Sequence, residues 1–168
     1  MIFDPEEIGS LVRRIAVKQT EDFQDMAIWR RLVADTIVAL QAYEDCDLVV
    51  PMTMLEPKYR QEIFGVLVDS GLTLCHYVLH VEEAELRRRI HAHEIFPDDT
   101  ERSLAVRQWR LDHVDPYFDQ FLQLSTEAKV IDASGRNIDE ITATILLDLR
   151  SSISPSKSKG DLPPYGSP

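Results

Sequence analysis

Polar side chains in this 168-residue sequence gather where short apolar runs end. Asp4 follows Ile2-Phe3, and Thr53 follows Leu48-Val49-Val50 across Pro51-Met52. His80 and Glu82 close the run that starts at Leu72, and Asp132, Ser134, Gly135 and Arg136 follow Val130-Ile131. An aspartate at a strand end can accept a proton from a substrate hydroxyl or hold Mg²⁺ through water. It can equally cap the helix that follows it. Arg30 and Arg31 stand beside Trp29, where an arginine would face an anionic or hydroxylated substrate and the indole would offer a stacking surface. The alternative there is a solvated arginine next to a core tryptophan.

A third group is basic. Arg87, Arg88 and Arg89 end one helical segment, and Arg102, Arg107 and Arg110 answer them beyond the break at Phe96-Pro97-Asp98-Asp99. Two basic segments hinged in this way suit a lid, spanning about 87–115, that closes arginines such as Arg88, Arg89, Arg107 and Arg110 over phosphates. They also suit a solvated helix pair whose arginines meet Glu82, Glu83, Glu85 and Glu101. The sequence lacks the GxxxxGK[ST] and GxGxxG loops that hold phosphates through backbone N–H groups, and its glycines are isolated. No metal site is expected. His91 and His93 point apart on a helix, His76 and His80 are too far apart on a strand, and no CxxC, HExxH or EF-hand spacing occurs.

The elements that must position these groups can be read from periodicity. Helical patterns cover 6–17, with Ile8, Leu11, Val12 and Ile15 on one face, and 23–44, with Ile28, Leu32, Ile37 and Leu40 as buried candidates. Others cover 57–70, closed by Gly71, then 82–94, 101–124 with a restart at Pro116, and 138–149. Strands are expected near 1–4, 47–51, 72–79 and 129–132. Strands separated by such helices imply a parallel α/β sheet, with 1–4 beside 47–51 and 72–79 beside 129–132. Ligands of such sheets sit at the carboxyl ends of the strands. Residues 151–168 are Ser, Pro, Gly and Lys with little to bury and read as a disordered tail.

Composition narrows the partners. The formal charge of −11 disfavours nucleic acid, and the absence of a long apolar run or basic leader disfavours a membrane. A cytoplasmic protein with a small-molecule partner is expected, of unknown oligomeric state, with Cys46 and Cys75 as buried free thiols.

Four stretches in order suggest a family: "FDPEEIG", "DFQDMAIWRRL", "LVVPMTMLEPKYRQEIFGVL" and "LHVEEAELRRRI". Together they resemble the bacterial tunicamycin-resistance family of ATP-binding, P-loop kinase-like proteins, over about residues 1–150. The resemblance implies a three-layer α/β fold and ATP and Mg²⁺ as cofactors. It implies that Asp4 lies beside the transferring phosphate or the substrate, that Arg30 contacts substrate, and that Thr53 faces Mg²⁺ or the acceptor. Arg89 would be the lid arginine, and Asp132, Ala133, Ser134, Gly135 and Arg136 the adenine-side loop. His91 and His93 stand where relatives carry further arginines, which weakens the lid's charge.

Aligned this way, "FDPEEIG" matches the family's second strand. The first, central strand and its phosphate loop are therefore expected to be missing, with ATP affinity no better than about millimolar. The expected function is an ATP-binding, kinase-like protein that acts on, or sequesters, a nucleoside-like or hydroxylated small molecule. The alternatives are a non-catalytic binding module and a defunct fragment.

Overall fold

Ile2 and Val49 form a parallel bridge, flanked by backbone hydrogen bonds from Phe3 to Val49 (3.0 Å) and from Val49 to Met1 (2.8 Å). This bridge is what remains of the strands expected at 1–4 and 47–51. Phe3, Leu48 and Val50 turn inward from it, while Ile2 and Val49 face solvent. The computed structural model describes residues 1–18, 20 and 22–152; the region expected to be a tail beyond 152 lies outside the described residues.

The bridge leads into α1 (Glu6–Ile15), α2 (Ala27–Glu44) and α3 (Pro57–Asp69). α1 starts on Pro5 with Glu6 and Glu7 in its first turn and Arg13 and Arg14 in its last, so the helix dipole is complemented at both ends. Phe23–Asp25 forms a single 3-10 turn capped by Asp22, so the helix expected from residue 23 begins only at Ala27. α3 has Pro57 at its start, and Gly71 follows it at φ +81°, a left-handed conformation that glycine adopts without strain.

These three helices share one apolar core: Val12 from α1, Trp29, Val33 and Ile37 from α2, and Ile63 and Leu67 from α3. Burying such side chains contributes about 1.5–3 kcal/mol each. The α2 stripe therefore runs through 29, 33 and 37. Ile28 is half-exposed, and Leu11 and Ile15 of α1 are likewise open to solvent, against expectation.

The second half holds the sheet proper. β1 (Tyr77–His80) pairs in parallel with β2 (Lys129–Asp132), in the register Tyr77↔Lys129 through His80↔Asp132. The expected strand 72–79 thus shortens to its end, because β2 offers only four residues as partners. Leu72 and Leu74 pack instead against the α1–α3 core. Between the strands run α4 (Glu83–Ala92), α5 (Thr100–Asp112) and α6 (Val114–Glu127). The helix expected over 101–124 breaks at His113, three residues before Pro116. α7 (Ile138–Ser152) follows β2. Asn137 and Glu140 exchange side-chain-to-backbone hydrogen bonds at its start (2.8 and 3.0 Å), a capping box.

The result is a mixed α/β fold, mostly helical, with a small two-stranded parallel sheet. Among the described residues no backbone hydrogen bond joins the Ile2–Val49 bridge to that sheet. Arg60 spans the two halves with an ion pair to Glu127. Among the described residues no helix is long and apolar enough to cross a membrane. Cys75 is exposed and Cys46 half-buried, so the thiols are not the buried pair that their apolar context suggested.

Candidate functional site

At the carboxyl end of the bridge, Asp4 is exposed. Its Oδ1 accepts the N–H of Glu6 at 2.9 Å, and its carbonyl accepts that of Glu7 at 3.2 Å. Asp4 thus caps the entry to α1. Thr53 is exposed in the segment after the bridge. Trp29 is 1% exposed, and its indole N–H donates to the Pro5 carbonyl at 3.1 Å. Its ring packs on Phe23, so the stacking surface expected for a ligand is turned into the core. The indole ties α2 to the turn that carries Asp4.

Arg30 is no solvated neighbour of that tryptophan. It is 6% exposed. Its Nε donates to Glu62 and its Nη1 to the Gln24 carbonyl, both at 2.5 Å, and its guanidinium lies 4.1 Å from the centre of the Tyr59 ring. Tyr59 in turn donates its hydroxyl to Asp25 at 2.7 Å. The bond to Arg30 holds the Glu62 carboxyl below its usual range, and the bond to Asp25 raises the Tyr59 phenol. Arg31 points away and pairs with Asp35 at 2.7 Å.

At the end of the sheet, Asp132 accepts the Ser134 N–H at 2.9 Å, which lowers its carboxyl pKa. Gly135 takes φ +64° there, and Arg136 reaches back to the Asp132 carbonyl at 3.1 Å. His80, opposite Asp132 in the register, bonds the Tyr117 hydroxyl at 2.8 Å and stacks on Phe121 at 4.0 Å. Burial pushes the Tyr117 phenol up to about 12. Arg89 donates to the Ala133 carbonyl at 3.1 Å, so the structure brings this arginine to the 132–136 turn.

The remaining basic residues are engaged by their neighbours. Arg88 and Arg89 both bind Glu85, at 2.8 and 2.7 Å, and this double pairing depresses the Glu85 carboxyl to about 2. Arg87 pairs with Glu83 and Asp115. Arg107 and Arg110 meet at His93, on its carbonyl (3.5 Å) and its Nδ1 (3.0 Å). The expected lid arginines thus form two clusters, one on Glu85 and one on His93.

A cleft of about 300 Å³ lies between Leu55 and Glu56 on one side and Pro116, Asp119 and Gln120 on the other. It sits where the two halves face each other, beside Arg60, which donates to the Met54 and Leu55 carbonyls at 3.0 and 2.6 Å. A larger hollow, about 540 Å³, opens on the outer face of α2 and is lined by no expected site residue.

Among the described residues no glycine loop fits a grip on ATP phosphates. Gly9 and Gly65 lie within helices, Gly71 and Gly135 close turns, and the Ser134 N–H is taken by Asp132. Among the described residues no three His, Cys, Asp or Glu side chains gather to hold a metal ion.

Sequence reasoning missed Tyr59, Asp25, Glu62 and Arg60. A signal existed: Arg30 shares the stripe of Val33, Ala34 and Ile37, and Arg60 that of Ile63 and Leu67. A charge on an apolar stripe requires a partner.

No protein-family model matches the chain, and no curated protein matches it. Among solved structures it is similar to the tunicamycin resistance protein of Deinococcus radiodurans, with a TM-score of 0.67 and 18% identity over 89% of this chain and 82% of that one. The chain has the fold of that protein.

Proposed function

We propose that this chain is an ATP-binding, kinase-like protein of P-loop type related in function to tunicamycin resistance. It acts on, or sequesters, a nucleoside-like or hydroxylated small molecule. The fold shared with a protein described as conferring tunicamycin resistance carries this reading. Asp4, Thr53 and Arg30 would meet the acceptor, and Arg89 with the 132–136 turn would lie on the nucleotide side. ATP and Mg²⁺ are the cofactors of this reading. A sequestering role is the second reading, favoured by the engagement of Arg88 and Arg89 with Glu85 and of Arg107 and Arg110 with His93.

Isothermal titration with tunicamycin, ribonucleosides and neutral sugars tests both. Micromolar binding of one of these, weakened by Arg30→Lys, is the expected result. Absence of binding across the whole set would overturn the reading.

A further inference from the structure

Arg30 is a buried cation with one nitrogen to spare. Its Nε and Nη1 are bound by Glu62 and the Gln24 carbonyl, and Nη2 has no protein partner among the described residues. The Tyr59 ring covers the guanidinium from one side, 4.1 Å from ring centre to Cζ. Asp25, at the far end of that ring, accepts the phenol O–H on Oδ1 and has no partner on its other oxygen among the described residues. One open donor and one open acceptor thus flank a single tyrosine.

The charge around them is not positive. Lys58 stands 3.9 Å from Glu62, so two cations, Arg30 and Lys58, face three carboxylates, Glu62, Asp25 and Glu56. A site built for a phosphate would leave its arginine uncompensated. This one neutralises its arginine before any ligand arrives, in a molecule of charge −11.

We propose that the Arg30–Tyr59–Asp25 site selects neutral ligands bearing a carbonyl and a hydroxyl over their phosphorylated forms, and that Glu62 and Asp25 set this preference. The proposal rests on the small-molecule reading above and specifies its substrate class. Arg30 donates to the ligand carbonyl and Asp25 accepts from its hydroxyl. Glu62 does not touch the ligand; it positions Arg30 and cancels its charge. A phosphate brought to the same place would meet the three carboxylates at close range.

The test is titration of the full chain with the four ribonucleosides, neutral sugars and the monophosphates of each. The wild type is expected to bind its best neutral ligand at least about tenfold tighter than the phosphorylated form, the size of one like-charge contact. Glu62→Gln and Asp25→Asn keep hydrogen-bonding shape and remove a negative charge, so each should narrow that ratio several-fold; Glu62→Gln, which takes the counter-ion from the buried Arg30, should also lower the thermal midpoint. A merely structural role for Glu62 would leave the ratio alone. Should either variant fail to fold, the wild-type ratio must still narrow as salt is raised. Equal or tighter binding of the phosphorylated form would overturn the inference and leave the functional reading standing. A ratio indifferent to both variants and to salt would overturn it too. Failure of every neutral and phosphorylated ligand to bind would remove the functional reading itself.

Discussion

Arg60 on α3 and Glu127 at the end of α6 hold the two halves of the molecule together, with Nε and Nη2 of the guanidinium each 2.9 Å from the same carboxylate oxygen. The arginine is 1% exposed and also caps two carbonyls, of Met54 and Leu55, that no regular element would satisfy. Buried donors and acceptors left unpaired are expensive, so Arg60 fixes the 54–55 segment as well as the seam.

Arg60→Met should therefore destabilise the chain by about 2–4 kcal/mol, even though its apolar volume is similar. Denaturant unfolding measures this. A loss below 1 kcal/mol, within the ordinary range of surface substitutions, would mean that the seam does not depend on the pair.

Much of this arrangement was legible in the sequence, and the misses have physical causes. Both parallel pairings, of the segment at 1–4 with that at 47–51 and of 72–79 with 129–132, follow from apolar runs alternating with helical periods. Pro57 and Gly71 marked the limits of α3 because proline's fixed φ suits a first helical turn and glycine alone takes the left-handed conformation after a last one without strain. The start of α2 was not legible, because Phe23 continues the apolar period while Asp22 caps a separate turn. Of the two readings open for Trp29, a stacking surface and a core residue, the structure takes the second, and residue type alone cannot say which side of a helix is covered. The ion pairs of Arg30 and Arg60 lie 32 and 67 residues apart in the chain, beyond the reach of any local pattern.

Glycine 9 and glycine 65 should respond oppositely to alanine. A Cβ on Gly9 would stand 2.9 Å from Phe23, whose ring is itself held against Trp29, whereas a Cβ on Gly65 meets nothing within 4 Å. In a helix alanine is favoured over glycine by about 1 kcal/mol, and overpacking costs about 1–3 kcal/mol. Gly65→Ala should raise the thermal midpoint and Gly9→Ala lower it. A midpoint that rises in both would show that Phe23 moves aside freely.

Stability should fall with acid in two windows. Burial, and then the charge of Arg60, hold His76 below its usual 6.5, so the unfolded chain binds the extra proton first. Its contribution is present above pH 6.5 and is lost as pH falls below that value. The paired carboxylates follow, led by Glu85 at about 2 against an ordinary 4.5: their contribution is present above 4.5 and declines as pH drops toward 2. Thermal midpoints recorded across this range for the wild type, His76→Gln and Glu85→Gln separate the two. His76→Gln should flatten the upper window only. A flat wild-type profile between neutrality and pH 5 would rule out the His76 contribution.

ATP should bind this chain weakly, no better than about 1 mM, or ~4 kcal/mol. The arginines available for phosphates are already spoken for: Arg88 and Arg89 by Glu85, Arg87 by Glu83 and Asp115, Arg107 and Arg110 by His93. Each would have to exchange a partner for the nucleotide, so little net free energy is gained, and the net charge of −11 opposes the approach of a polyanion. Glu85→Gln removes the carboxylate that holds two of these arginines. That variant should bind Mg-ATP several-fold more tightly than the wild type, and the gain should shrink with added salt because the contacts are exposed. Titration calorimetry on both proteins decides the matter. Micromolar affinity in the wild type would reveal a phosphate site other than these arginines, and an unchanged affinity in Glu85→Gln would show that Arg88 and Arg89 do not reach the nucleotide.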